Sequence, residues 1–199
     1  MQQLTIAMHT HHDVYKSLPP ARYRGGLSWR VAILPYIDQQ ALYNEFHLDE
    51  PWDSPHNIKL LERMPKIFAP VAGPPTKPGE TCYQVFTGPG LIFDRLMDRR
   101  TRLVSIVDGT SNTFMIVESS KPVPWTKPED IEYTPRFDKG KGGPRPELGY
   151  QVPGKFLAGM ADGVARWLPR DLDGFTLDCL IHPADANVIP DLPDDDLPF

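Results

Sequence analysis

Residues 28–57 read SWRVAILPYIDQQALYNEFHLDEPWDSPHN and are the densest run of distinctive residues in the chain. Ser28 can cap a helix that begins at Trp29. Pro35 lacks an amide hydrogen, so it suits the first turn of a second helix better than its interior. In that second helix, three-and-four spacing predicts one buried stripe made of Ile37, Ala41, Leu42, Glu45 and Phe46. The stretch therefore predicts a helical turn over 29–34 followed by a helix from Pro35.

The second half of this stretch predicts a corner between helices. Pro51 ends the preceding helix, because the residue before a proline is pushed out of the helical region. Ser54 and the proline after it are a cap and first-turn pair for another helix, with a core face made of Ile58, Leu61 and Met64. We expect Trp52 to be largely buried at this corner, and Asp53 or Ser54 to bond an amide near Asn57.

The rest of the chain predicts short strands and one more helix. The alternating run TCYQVFT at 81–87 is a strand candidate, and 113–117 is a buried strand. Residues 156–168, FLAGMADGVARWL, predict a hairpin with Asp162 and Gly163 as a two-residue primed turn and Ala161 facing Val164. Residues 173–182 predict a short helix capped by Asp173. Together these elements predict an α+β fold in which N-terminal helices pack on an antiparallel sheet.

Composition limits the classes of protein to consider. The chain has 199 residues, of which 40% are hydrophobic, enough for one domain over 2–189. The acidic, proline-rich end at 190–199 predicts disorder, and 138–149 predicts a flexible loop. A net charge of −5 and a pI near 5.6 argue against a nucleic-acid partner. Cys82 and Cys179 could form a disulfide or remain two separate buried thiols.

Residues 2–16 read as the end of a helix. Its predicted inner face is Leu4, Ala7, Met8, His11 and Tyr15. His9 and His12 share a side, but no partner has metal-ligand spacing, so we interpret them as helix surface. No run approaches the roughly 18 apolar residues of a membrane span, and no signal peptide is visible.

Two groups of polar residues are candidates for chemistry. Asp108, Ser111, Asn112 and Glu118 offer hard oxygen donors for calcium, although their spacing is not that of an EF-hand. The run Asp108-Gly109-Thr110-Ser111-Asn112 is also ordinary turn composition, and we prefer that interpretation. Ser111 as a nucleophile lacks the elbow motif.

The second group is the best enzyme candidate. It packs four ligand-type residues into ten positions: His47, Asp49, Asp53 and His56. We prefer to interpret Asp53 and Ser54 as a helix cap. The sequence therefore predicts neither a catalytic set nor a cofactor.

Several motifs carry a family resemblance when they are taken in order. HTHHDVYKSLPPA at 9–21 is followed by SWRVAILPYIDQQALY and LDEPWDSPHN, and later by TRLVSIVDGTSNTFMIVE at 101–118, VPWTKPEDI at 123–131 and a closing Ala-Asp-Gly hairpin. This order resembles the pilin-like bacterial family known as the prepilin-type domain of unknown function, over roughly Gln2 to Ile189. Two features depart from that pattern. The family has a histidine, nine residues and then Asp-Gly, and Val152 stands at the position of that histidine, ten positions before Asp162; Ala69 stands where the family often has a cysteine.

The resemblance implies a pilin-like fold and a non-enzymatic structural or surface-display subunit outside the cytoplasm. Its partners would be other pilin-like subunits, reached through an N-terminal apolar helix. The resemblance also implies that the chain starts in the middle of that helix. We therefore expect the 199 residues alone to be a soluble monomer, and an anchoring helix of roughly 20 apolar residues to be encoded in frame before Met1.

Two other classes of function stay open at this stage. One is a glycan- or peptide-binding module that uses exposed Trp29, Trp52 or Trp125. The other is a metal-dependent enzyme on the histidine and aspartate group at 47–56. The residues that we single out as structural motifs are Trp29, Pro35, Pro51, Trp52, Asp53, Ser54, Asp108, Gly109, Asn112, Asp162 and Gly163.

Overall fold

The computed structural model describes residues 1–74, 76–94, 101–136 and 145–188. Its α-helices are α1 (Gln2–Tyr15), α2 (Trp29–Ala32), α3 (Gln40–Glu45) and α4 (Gly174–Ile181). Its strands are β1 (Arg22–Tyr23), β2 (Leu27–Ser28), β3 (Glu80–Gln84), β4 (Phe86–Thr87), β5 (Phe114–Pro124), β6 (Ile131–Glu132), β7 (Lys155–Met160) and β8 (Ala165–Pro169). The predicted α+β class is confirmed. The tail predicted at 190–199, and most of the loop predicted at 138–149, lie outside the described residues.

Helix α1 packs on the sheet along one face. Leu4, Ala7 and Met8 are completely buried, as the spacing predicts. Tyr15, which was predicted on the same face, is 48% exposed and packs beside the His11 ring at 4.6 Å between ring centroids. The helix ends where Lys16 takes a left-handed conformation with φ of 57° and donates its amide hydrogen to His12.

The segment 28–46 forms two short helices and a 3₁₀ turn rather than one helix from Pro35. The Ser28 hydroxyl accepts from the Arg30 amide at 3.2 Å, which confirms the predicted cap of α2. Pro35 lies in the 3₁₀ turn, and Asp38 then takes φ of 58°, a left-handed conformation that aspartate tolerates better than most residues. This break starts α3 in a new phase, so Leu42 and Phe46 are buried, whereas Ala41 and Glu45, which were predicted for the same stripe, are exposed.

The helix predicted after Ser54 is a 3₁₀ helix, Asn57–Arg63. A 3₁₀ helix has three residues per turn, so its inner face runs through Asn57 and Leu60. Ile58, which was predicted for the core, is therefore 38% exposed, and Leu60 takes its place. Leu61 and Met64 pack at the edge of the core as predicted.

The main sheet has four antiparallel strands in the order β3-β5-β7-β8. The strand predicted at 81–87 is divided at Val85, because the Val85 amide donates to the Asp130 carboxylate at 3.1 Å. Beyond that point β4 pairs in parallel with β6, and β1 pairs with β2 as a separate ribbon.

The hairpin predicted at 156–168 is present as β7 and β8, but its turn is one residue longer than predicted. The Met160 amide donates to Val164 at 2.8 Å, so the loop has three residues that end at Gly163 with φ of 92°. A glycine with positive φ at this position is typical of three-residue hairpin loops. Ala161 does not face Val164, because its amide donates to Thr113 on the other side of β7.

Both faces of the sheet are covered. The first core contains the buried side chains of α1, α2 and α3 together with Met115, Ile116, Phe68 and Trp125. The second core lies around α4 and contains Phe114, Val117, Phe156, Ala158, Leu168, Leu177 and Leu180. Helix α4 begins as predicted, with the Asp173 carboxylate accepting from the Thr176 amide at 2.9 Å. Among the described helices, none combines the length and apolarity needed to cross a bilayer.

Candidate functional site

The centre of the first core is a buried charged group. Arg30 donates from Nε and Nη2 to the Tyr83 carbonyl and from Nη2 to Asp130 Oδ1 at 3.0 Å. The same Asp130 oxygen accepts from the Trp29 indole at 3.1 Å. Burial raises the pKa of Asp130 and lowers the pKa of Arg30, and their attraction opposes both shifts. Since all three side chains are fully buried or nearly so, this group is part of the core and offers no surface for a ligand.

The corner at 47–57 is organised by Asn57. Its buried side chain accepts from the His47 amide at 3.0 Å and donates to the carbonyls of His47, Glu50 and Pro51. The Ser54 hydroxyl accepts from the Asn57 amide at 3.0 Å, so the bond predicted for Asp53 or Ser54 is confirmed at Ser54.

The tryptophans predicted as binding residues differ in exposure. Trp29 and Trp125 are completely buried, and the Trp125 indole donates to the Leu61 carbonyl. Trp52 was predicted to be largely buried and is only partly so: it packs at the edge of the first core, with the Lys127 ammonium 5.5 Å from its ring centroid. Of these three tryptophans, Trp52 alone reaches the surface.

The histidine and aspartate group at 47–56 does not converge. The His47 and His56 rings stack at 3.6 Å between centroids, but each ring nitrogen that bonds has a partner elsewhere: Glu50 Oε1 for His47 and the Glu45 carbonyl for His56. Asp49 and Asp53 are exposed. In the part of the chain that the structure describes, ligand-type side chains come together at a different place.

The residues of the calcium hypothesis are divided between two places. Glu118 lies in β5, where its two oxygens accept from the amides of Gln151 and Leu157 at 2.7 and 3.0 Å, and burial raises its pKa. Asp108 instead faces the segment after α4, where it accepts from the amides of Asp185 and Ala186.

The turn that follows Asp108 has the predicted local chemistry. Gly109 has φ of 99°, the Asn112 amide donates to its carbonyl at 3.0 Å, and the Thr113 hydroxyl donates to the same carbonyl. Ser111 lies in the 3₁₀ turn Thr110–Asn112, and within the described residues its hydroxyl bonds no histidine. The backbone of residues 108–112 therefore forms the turn that the sequence predicts.

Asp108, His182 and Asp185 form the group that sequence reasoning missed. Each offers one ligand-type atom, and these atoms lie within 4.8 Å of one another. The spacing His182-x-x-Asp185 directly after α4 was the available local signal. Asp108 stands 77 positions before Asp185, so no pattern in the sequence joins it to the pair.

The two cysteines are separate buried thiols, which decides between the two alternatives. Burial, followed by the charge of Glu118, raises the pKa of Cys82 to about 12. Cys179 in α4 also has a pKa raised to about 12, by burial and then by several carboxylates, with Asp185 first among them. Neither thiol is a nucleophile at neutral pH.

Comparison with known proteins gives one match. Residues 1–90, somewhat under half of the chain, match the bacterial family described as a protein of unknown function (DUF1559). This match supports the resemblance to a domain-of-unknown-function family over the N-terminal part, and the pilin-like part of the resemblance stays a prediction. No curated protein and no solved structure matches the chain.

Proposed function

We propose that this chain is the globular head of a pilin-like, non-enzymatic subunit that assembles with copies of itself and is displayed outside the cytoplasm. The observation that carries the proposal is the way α1 packs on the sheet. The first element of the chain is a 14-residue helix that lies across an antiparallel sheet, with Leu4, Ala7 and Met8 buried beneath it. The family match covers this helix and the segment 28–57 that packs beside it.

The outer face of α1 supports assembly through this helix. Ile6 and Val14, two turns apart, are 51% and 58% exposed, and Tyr15 beside them is 48% exposed. Thr10 lies between them on the same line of the helix. An exposed stripe that carries two β-branched apolar residues can pack against the equivalent stripe of a second copy, as helices do in bundles.

Site-directed crosslinking in the native host tests this proposal. Ile6→Cys and Val14→Cys place thiols on the outer face of α1, and both native thiols are buried. Val71→Cys, at a valine outside α1 that is 86% exposed, is the matched control. We expect oxidation to give disulfide-linked dimers from both α1 variants and none from the control.

The same control variant tests display. A membrane-impermeant maleimide should label Val71→Cys in intact cells.

Equal crosslinking at all three positions, or no crosslinking on α1, would refute assembly through this helix. Labelling of Val71→Cys only after cell lysis would refute display outside the cytoplasm.

A further inference from the structure

The segment that follows α4 returns to the turn before β5 and is bonded to it through the backbone. The amides of Val107 and Asp108 both donate to the Pro183 carbonyl, at 2.9 and 3.3 Å. In the other direction, the Asp108 carboxylate accepts from the amides of Asp185 and Ala186. These bonds hold two loops, distant in the sequence, in one fixed arrangement.

This arrangement brings three side chains of metal-ligand type together. Asp108, His182 and Asp185 are all partly buried, and one ligand-type atom from each lies within 4.8 Å of the others. Asp185 Oδ1 accepts from the Asn187 amide at 2.7 Å, which orients this carboxylate. The Ala184 amide donates to His182 Nδ1 at 3.1 Å, and this bond is given up when the ring binds a metal.

A second observation points to a cation. The other oxygen of Asp185, Oδ2, is buried and accepts no hydrogen bond from any described donor. A buried carboxylate oxygen without a partner is costly in free energy, and in proteins such oxygens are ordinarily paired or bound to metal. This oxygen belongs to the same carboxylate that lies beside Asp108 and His182.

We propose that Asp108, His182 and Asp185 bind a divalent transition-metal ion of the zinc type. One imidazole and two carboxylates suit zinc, whereas calcium and magnesium prefer ligand sets made of oxygen alone. In a tetrahedral zinc site the ligand atoms are about 3.4 Å apart, which small side-chain rotations can reach from the present separation. The fourth position is open to water.

A metal bound at this site crosslinks two segments that are distant in the sequence. The metal joins the segment after α4 to the turn that enters β5, at a place where hydrogen bonds to the backbone already hold the two together. None of the three ligands belongs to α1, and the proposal does not depend on the proposed function.

Calorimetric titration of the untagged, metal-free chain with zinc chloride tests the site. We expect one zinc per chain and a higher midpoint of thermal unfolding in its presence. His182→Gln and Asp185→Asn should each weaken zinc binding at least about tenfold. Asp108 is left unchanged because its carboxylate also bonds two loop amides.

His47→Gln is the matched control, since His47 belongs to the stacked histidine pair elsewhere on the surface. It should bind zinc as the wild-type chain does. Equal zinc affinity in His182→Gln and the wild type, or loss in His47→Gln instead, would overturn the assignment. Calcium binding tighter than zinc binding would overturn the class of metal.

A spectroscopic measurement on the wild-type chain keeps the test valid if a variant fails to fold. Cobalt in place of zinc should give the visible absorption of a four-coordinate site and paramagnetic shifts of the His182 ring protons. Shifts on the His47 or His56 ring instead, or on no histidine, would contradict the proposal.

Discussion

At the scale of single residues, this fold depends on buried polar side chains that bond the backbone of loops. Asn57 is completely buried and satisfies one amide and three carbonyls of the corner at 47–51. In the first core, Arg30 bonds the Tyr83 carbonyl of β3, and Asp130 bonds the Val85 amide directly after β3 and so ends this strand. Loops without regular structure can be placed in a core when such side chains replace the missing backbone partners.

Asn57→Ala should therefore destabilise the chain strongly. It leaves the His47 amide and the carbonyls of the corner without their partner, and a loss of about 1–3 kcal/mol in the free energy of unfolding is expected. Asn44→Ala is the control, because Asn44 is exposed and its side chain, among the described residues, accepts a single hydrogen bond, from the Gln40 side chain. That control should change the value by less than about 0.5 kcal/mol. Urea unfolding followed by tryptophan fluorescence measures both, and equal losses would contradict the role of Asn57.

His11 gives the chain a pH dependence that can be measured. The residue is 4% exposed, Nδ1 bonds the Ser17 carbonyl at 3.0 Å, and burial lowers the pKa of His11 below the ordinary value of 6.5. Below pH 6.5 the unfolded chain binds the proton while the folded chain resists it, so stability is lost as the pH falls from 6.5 through the lowered pKa.

Replacement of His11 isolates this contribution. Unfolding free energies at about pH 7.5 and about pH 5.5 should differ less in His11→Gln than in the wild type, because glutamine can keep a donor for Ser17 without titrating. If the difference in unfolding free energy between the two pH values is the same in the variant as in the wild type, other groups cause the loss of stability at low pH.

The residues that could be predicted from the sequence are those whose partners are local. Ser28, Ser54 and Asp173 bond amides two or three positions away, as predicted. Ser28 and Asp173 are confirmed as helix caps, whereas the 3₁₀ helix after Ser54 begins only at Asn57, with His56 at its N-cap position. Asp130 bonds residues 45 to 101 positions away, and its role had no signal in the sequence. The Asp108–Asp185 contact was missed for the same reason.

At the scale of elements, the errors come from helix period and from turn length. Apolar spacing at 58–64 fits an α-helix and a 3₁₀ helix almost equally over two turns, so Ile58 was assigned to the core in place of Leu60. The Asp-Gly pair predicted a two-residue turn, but the bond of the Ala161 amide to Thr113 draws Ala161 into the loop. In both cases contacts with other elements decided between local alternatives of similar energy.

The contact between α1 and β7 depends on the absence of a side chain at Gly159. A Cβ at this position would lie 2.5 Å from Thr5 Cγ2. Gly159→Ala should therefore push α1 from the sheet and lower the free energy of unfolding by about 1–3 kcal/mol. Denaturant unfolding of the purified variant measures this loss.

Thr5→Ser is the matched partner for that experiment. It removes the clashing methyl group and keeps the hydroxyl that bonds the Gln2 and Gly163 carbonyls. In the double variant the loss should be partly restored, with a coupling energy above about 0.5 kcal/mol. Additive losses would mean that Gly159 is not the point where α1 meets the sheet.

At the scale of the whole molecule, one sheet is shared by two cores. Strand β5 gives Met115 and Ile116 to the first core and Phe114 and Val117 to the second. The two helices that close these cores, α1 and α4, lie near opposite ends of the described chain. Because both cores need the same strands, we expect the chain to unfold in a single transition.

Two substitutions test this coupling. Leu4→Ala opens the first core and Leu180→Ala opens the second; both leucines are completely buried, so each should cost about 2–5 kcal/mol. Val164→Ala, at a valine that is 43% exposed, should have little effect. Trp29 and Trp125 lie in the first core and Trp52 packs against it, whereas Trp167 lies in β8. In a Trp167→Phe background, tryptophan fluorescence therefore reports on the first core, and far-ultraviolet circular dichroism reports on the whole chain. If the sheet couples the two cores, Leu180→Ala must shift the fluorescence transition as far as the dichroism transition. A fluorescence midpoint that stays at the wild-type value in Leu180→Ala would show that the first core unfolds independently of α4.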